Sequence, residues 1–329
     1  LPFFEQSLPG VCRRITRLLQ AFGIRYISTL IKKAIIQLHV AVFIAGFTAI
    51  LGKWIQLHEA WLVIYRLFFS VIVIAGWITF QKQWKRVPLN ELFKIAGVGF
   101  ILALHWVTFY AAVKYGNASV AVVCIAAAGF FSAILEPLFY RVRLQWMDLA
   151  LGFVSLVGIG ILFNFHPQHR VGIAFGLFSA FGSALFPIFN KRLLVKTEPV
   201  LLTFYEFLGG GMLLLLLMPA YVLLFPATHY WPQLTDWLWL LLLVLVCTVW
   251  AFKLQLDALK QLSPFTVNLM YNLEPVYGVA LAFFLLHEAH LFNPQFYIGL
   301  FLVLCSVSVQ LWRVVRRNRK SRLQEGIPV

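Results

Sequence analysis

The sequence predicts an all-α polytopic membrane protein: ten transmembrane helices in two inverted five-helix repeats, with both termini cytoplasmic. Three observations lead there. Hydrophobic residues make up 61% and charged residues 12% of the 329 residues, against about a quarter charged in a soluble domain. The excess recurs as apolar runs of about 20 residues, each long enough to cross a bilayer core as a helix. Basic residues gather at alternate ends of those runs, and the second half echoes the first at a near-constant offset.

Taken in order, residues 1–33 carry Arg13, Arg14, Arg17, Arg25, Lys32 and Lys33 with little acid. An Arg-rich, acid-poor lead is also the composition of an organelle transit peptide. We assign it as a basic cytoplasmic arm lying on anionic lipid. The chain opens on Leu1 rather than Met, which leaves its true start undefined. Spans are expected near 35–53, 61–80, 93–113, 117–139 and 147–164 in a first repeat over 34–165. A second repeat over 170–312 holds spans near 171–190, 200–225, 237–257, 264–286 and 295–312, and 313–329 form a basic tail. Trp54, Trp61, Trp84, Trp146, Trp237 and Trp312 fall near run ends, as interfacial anchors do.

The net charge of +15 invites a nucleic-acid reading, but its placement opposes one. With the N-terminus inside, 22 Lys and Arg residues fall on the cytoplasmic side, and only Lys53, Lys114 and Arg170 fall outside. That bias sets the orientation. The four cysteines show no metal or redox spacing and read as small core residues.

Comparing the halves, Tyr65-Arg66 aligns with Tyr205-Glu206 at an offset of 140, and Lys114 with Lys260 at 146. Nearly the same offset pairs Arg141 with Glu288 and Gly152 with Gly299. Five spans per repeat is an odd number, so the second copy sits upside down. Inverted repeats meeting at the midplane are the architecture of secondary transporters.

Residues 263–288, SPFTVNLMYNLEPVYGVALAFFLLHE, hold polar groups inside an apolar span. Asn268 and Asn272 stand four apart and project from one helix face. Pro275 removes a backbone donor and should bend the helix near its middle. Such features are costly in hydrocarbon unless they face protein or a wet cavity. The S-P opening, the mid-helix L-E-P-V and the closing H-E resemble the ninth helix of EamA-type carriers of the drug/metabolite transporter superfamily. LHWVTFYAAVKYGNAS at 104–119 is similar to their third-to-fourth helix passage, and Arg66 matches an arginine common in their second helix. The resemblance covers about 35–312 and implies a ten-helix basket with a central cavity. Two departures stand out: Ala128 and Arg141 occupy the first-repeat positions of Pro275 and Glu288.

Asn268 and Asn272 are the leading substrate contacts, because amides both donate and accept. Tyr271 and Trp106 would supply aromatic wall, as would Tyr110, Phe130 and Phe131. Arg66 lies five residues into its span, and Glu206 is similarly deep from the opposite side; each guards a gate, meets substrate charge or makes a structural pair. His105 is a helix–helix hydrogen bond or a pocket and proton-relay group. Glu206, Glu274, Pro275 and His105 are the coupling or gating candidates. Lys253 and Asp257, four apart, read as a structural ion pair. Glu136-Pro137 should end or kink its helix. Gly46, Gly97, Gly99, Gly158, Gly160 and Gly209–Gly211 read as sites of close helix approach.

These features imply a secondary carrier that exports or exchanges a small polar or amphipathic metabolite, amino-acid-like in one reading, across a cell inner (plasma) membrane. Its partners would be a small-molecule substrate and membrane lipids. No cofactor, metal or nucleic acid is called for. Proton coupling and substrate exchange are both open as energy sources, and nothing resembles a phosphate-binding loop that would imply ATP. A lipid-acting membrane enzyme, a channel and a non-transporting scaffold are the alternatives. The enzyme would need a nucleophile or metal set, and H-E-A-H at 287–290 lacks zincin spacing. The oligomeric state is not legible.

Overall fold

In a computed structural model, residues 8–163, 170–226, 229–262, 264–271, 273–286 and 294–324 are described, and their regular structure is helical. The first half holds α1 (Leu8–Trp54), α2 (Glu59–Phe80), α3 (Leu89–Tyr115), α4 (Ala118–Ile125), α5 (Ala128–Tyr140) and α6 (Trp146–Phe163). The second holds α7 (Arg170–Leu193), α8 (Pro199–Leu224), α9 (Leu234–Val244), a π-helical turn (Leu245–Trp250), α10 (Ala251–Gln261), α11 (Pro264–Tyr271), α12 (Glu274–Leu286) and α13 (Pro294–Gln324). Among the described residues, seven helical segments are long and apolar enough to cross a membrane, α4–α5 and α9–α10 each counting as one. Shorter apolar helices lie at Trp146–Ile161, Glu274–Leu286 and Tyr297–Ser306. Phe80, Leu223 and Leu234 point outward and are more than four-fifths exposed. A surface of that kind would aggregate in water and suits hydrocarbon. This is a multi-pass membrane protein.

Packing between the halves is reciprocal. α3 packs on α7 and α8, while α10 and the π turn pack on α1 and α2. α4 packs on α7 and α12 on α1; α2 meets α8, and α6 meets α13. Exchanging the two halves therefore maps the contact pattern onto itself. The breaks repeat as well. α4 gives way to α5 at Ala126–Ala127, and α11 gives way to α12 after Tyr271. Pro275 sits in the first turn of α12, where its missing donor leaves no intrahelical bond unmade. The first-half break needs no proline: Ala126 and Ala127 donate to carbonyls three residues back, tightening the last turn of α4. Pro137 lies inside the last turn of α5, which runs on to Tyr140. The turn that ends α5 is made by Arg141, in the left-handed region at φ 53°.

Close approach concentrates where α3 crosses α8. A Cβ on Gly99 would overlap the Glu206 carbonyl, and one on Gly210 would overlap the Gly99 carbonyl. Gly97 faces open space and has no such role.

Both ends of the bundle are tied by lysines that cap helix C-termini, where the unpaired carbonyls and the helix dipole favour a cation. At one end Lys114 of α3 donates to the carbonyls of Ile55 (3.3 Å) and Leu57, just past α1. At the other, Lys191 of α7 donates to Leu259, Leu262 and Lys260 carbonyls at 2.6, 2.9 and 3.2 Å. The third helix of one repeat thus caps the first, and the first helix of the other caps the third. Lys191→Met should free three carbonyls at the end of α10. Amide exchange at 258–262 should then rise on the order of 10-fold, from about 1.5 kcal/mol of lost charge-assisted bonding. Unchanged exchange there would mean that the cap holds nothing.

Candidate functional site

The span made by α9, the π turn and α10 supplies the site's unusual backbone. A π turn widens the helix by one residue and leaves carbonyls off the regular ladder. Here Thr248 Oγ1 donates to the Leu243 carbonyl five residues back, at 2.7 Å. Arg66 of α2 reaches into this turn. Its Nε donates to Thr248 Oγ1 at 2.7 Å, and Nη2 donates to the Cys247 carbonyl at 3.2 Å. Nη1 donates to the Tyr110 hydroxyl of α3 at 3.1 Å. The guanidinium lies 3.6 Å from the centre of the Trp106 ring. Planar delocalised charge suits this stacked, multiply bonded setting better than an ammonium. A guanidinium has five N–H groups, so two remain uncommitted.

Arg66 lines a cavity at the meeting of both halves, with about 670 Å³ of unfilled space including its open mouth. Trp106, His105, Tyr271, Gln255 and Glu274 share that lining. Phe109, Phe186 and Phe252 make much of the apolar wall. His105 is held from behind: its Nδ1 lies 2.8 Å from the Ser179 carbonyl, which can only accept. The Ser179 hydroxyl also lies 2.8 Å from Nδ1, so Ser179 holds that ring nitrogen with both its carbonyl and its side chain. Ser179 donates in return to the His105 carbonyl at 3.0 Å. Glu274 opens α12 at the helix break and is buried. Its carboxylate makes no ion pair with Arg66, although both line the cavity. Opposite formal charges face one space without neutralising each other by contact.

Of the residues singled out in the sequence, Arg66, His105, Trp106, Tyr271 and Glu274 converge on this cavity. Pro275 stands next to Glu274, buried in the same turn. Glu206 does not line the cavity; it is fully buried on α8. The Asn268 side chain and Asn272 lie outside the described residues. Lys253 and Asp257 form the expected i,i+4 pair at 2.8 Å, away from this cavity. Phe130 instead packs on Gly152, where α5 meets α6.

The two halves match one family description, EamA-like transporter family, over residues 32–164 and again over 170–312. The chain belongs to the EamA-like transporter family. A protein of Archaeoglobus fulgidus described as an uncharacterized transporter is similar to part of this EamA-like chain. It is 28% identical over 136 residues, 41% of this chain and 46% of that protein. The match thus spans less than half of that relative's length. A solved crystal structure matches at a TM-score of 0.61, covering 84% of this chain and 96% of its own, at 16% identity. That likeness shows a shared fold.

Sequence reasoning passed over Tyr110 as more than wall, and it missed Thr248 and Gln255 altogether. A signal existed for the last two. Thr248, Lys253, Gln255 and Asp257 recur within an otherwise apolar span of this EamA-like transporter. Polar residues in hydrocarbon point to a partner or a cavity.

Proposed function

We propose that this EamA-like protein is a secondary carrier for a small amphipathic zwitterion, such as an amino acid. Arg66 would engage a carboxylate and Glu274 an ammonium group. The observation that carries this reading is a cavity lined by two opposite charges that do not touch. Arg66 and Glu274 line one space with no ion pair between them, and aromatic side chains form much of the remaining wall. Isolated charges in a membrane interior are expensive, so a pair held apart favours a ligand that supplies both counter-charges. Reciprocal packing of the two halves supports alternating access, in which each half takes the other's conformation. The basic bias supports ten crossings with both termini cytoplasmic, in the inner membrane of a cell. Export or exchange is the direction we favour. Asn268 and Asn272, four apart in the sequence just before Glu274, would complete the polar contacts.

The test is thermal unfolding of the purified protein with single amino acids, amines, carboxylates and sugars as probes. A ligand at 100 times its Kd stabilises by about 2.7 kcal/mol. We expect shifts from zwitterions and none from the matched amines or carboxylates, with both Arg66→Gln and Glu274→Gln abolishing them. A shift from sugars or from amines alone would overturn the zwitterion reading.

A further inference from the structure

The inner half of α8 holds a polar group that the cavity does not use. Glu206 is fully buried, and neither carboxylate oxygen has a hydrogen-bond partner. Asn190 of α7 is equally buried, and its amide nitrogen and oxygen are also without partners. The two side chains stand beside each other, short of hydrogen-bonding geometry. Two adjacent side chains thus leave four polar atoms unsatisfied in a membrane protein's interior. Native structures rarely tolerate this unless the groups have a task.

Among the described residues, no cation answers the carboxylate. The charged and titratable groups on neighbouring helices are engaged elsewhere. Arg66 of α2 is bonded to the π turn and Tyr110. On α3, Lys94 pairs with Glu91, and His105 bonds to Ser179. Lys191 and Arg192 of α7 donate to backbone carbonyls. On α10, Lys253 pairs with Asp257 and Lys260 with Glu198. An ionised carboxylate without a partner cannot rest in such a place, whereas a proton neutralises it and needs no room.

The repeat relation says where the proton would come from. Glu206 is the second-half counterpart of Arg66, 140 residues on. Arg66 lines the cavity in this structure and Glu206 is sealed. When the halves exchange conformations, the Arg66 position closes and the Glu206 position opens. A lysine-lined crevice at that end, bordered by Lys85, Lys253 and Lys260, already reaches Leu201. Leu201 lies five residues before Glu206, about 7.5 Å along the helix.

We propose that Glu206 and Asn190 form a proton-binding site that opens toward the lysine-rich end when the repeats exchange. Glu206 takes the proton and Asn190 Oδ1 accepts its hydrogen bond. This rests on the carrier reading for its alternating motion, but its test does not depend on the cargo. The full chain in proteoliposomes is treated with a water-soluble carbodiimide, which modifies accessible protonated carboxyls, and the modified sites are mapped by mass spectrometry. Glu206 should be modified although it is buried in this structure, because the carrier opens. Modification should fall as the pH rises, because only the protonated carboxyl reacts. Asn190→Ala should shift that profile, and Glu206→Gln, a near-isostere that can bond Asn190, should remove the signal from a folded protein. Exposed Glu198 is the positive control. Modified Glu198 with unmodified Glu206 across the range would overturn the proposal. Protection of Glu206 by sodium at fixed pH would overturn it in favour of a metal-cation site. Modification at Glu206 without any zwitterion-induced thermal shift would keep the proton site and discard the cargo.

Discussion

Arg66→Gln should uncouple α2 from the π turn and raise amide exchange across residues 243–251 on the order of 10- to 100-fold. The wild-type guanidinium holds Thr248 Oγ1, the Cys247 carbonyl and the Tyr110 hydroxyl together while stacking on Trp106. A hydrogen bond to a charged group contributes about 1.5–3 kcal/mol, and about 1.4 kcal/mol is tenfold in a local opening equilibrium. Glutamine is shorter, uncharged and carries only two donors, so it cannot reproduce three divergent bonds. Arg66→Lys should fall between the two, since an ammonium is a point charge without the planar fork. Removing an intramembrane charge also relieves a desolvation cost, so global stability should change less than local exchange does. Binding should change most, because the two uncommitted N–H groups go with the side chain. Exchange across the π turn equal to wild type in Arg66→Gln would mean that the turn holds itself, and Arg66 would lose its place as the link between cavity and helix.

Much of this arrangement was legible in the sequence, and the part that was not has a physical reason. Apolar run length and basic bias locate helices because bilayer thickness and charge cost act on each segment separately. The offset linking Tyr65-Arg66 to Tyr205-Glu206 was readable because duplication preserves order. Arg66, His105, Trp106, Tyr271 and Glu274 were each suspect as polar or amphipathic groups in apolar runs, and they meet in one cavity. What a sequence cannot carry is which groups share a space. Depth along a helix separates Arg66 from Glu206, but only packing puts Glu274 across the cavity from Arg66's helix. The break at Ala126–Ala127 was invisible because alanine is the best helix former, and only tertiary packing explains an interruption there. The π turn was equally hidden, since Leu245–Trp250 reads as ordinary apolar helix.

Gly99→Ala should be among the most damaging single-methyl additions to this protein, and Gly97→Ala, two residues away, should be harmless. The reason lies in the α3–α8 crossing, where Gly99 and Gly210 each place backbone against backbone with no room for a Cβ. A flexible side chain could swing aside, but the Glu206 and Gly99 carbonyls are fixed by their own helices, so the helices themselves must part. Overpacking typically costs about 1–3 kcal/mol, and a rigid neighbour puts Gly99→Ala at the upper end or beyond. Nothing stands within reach of a Cβ at Gly97. There alanine gains helix propensity, roughly 0.8–1 kcal/mol over glycine in an exposed helix. The two variants should therefore move the unfolding midpoint in opposite directions in the same detergent. Glu206 links this contact to the proposed proton site, because its carbonyl meets Gly99 while its side chain meets Asn190. Parting the helices should expose the Glu206 carboxyl, so carbodiimide modification in Gly99→Ala should rise above wild type. Equal midpoints for Gly97→Ala and Gly99→Ala would mean that α3 and α8 do not touch backbone to backbone. The sealing of Glu206, and its dependence on an exchange of repeats, would then have no structural basis.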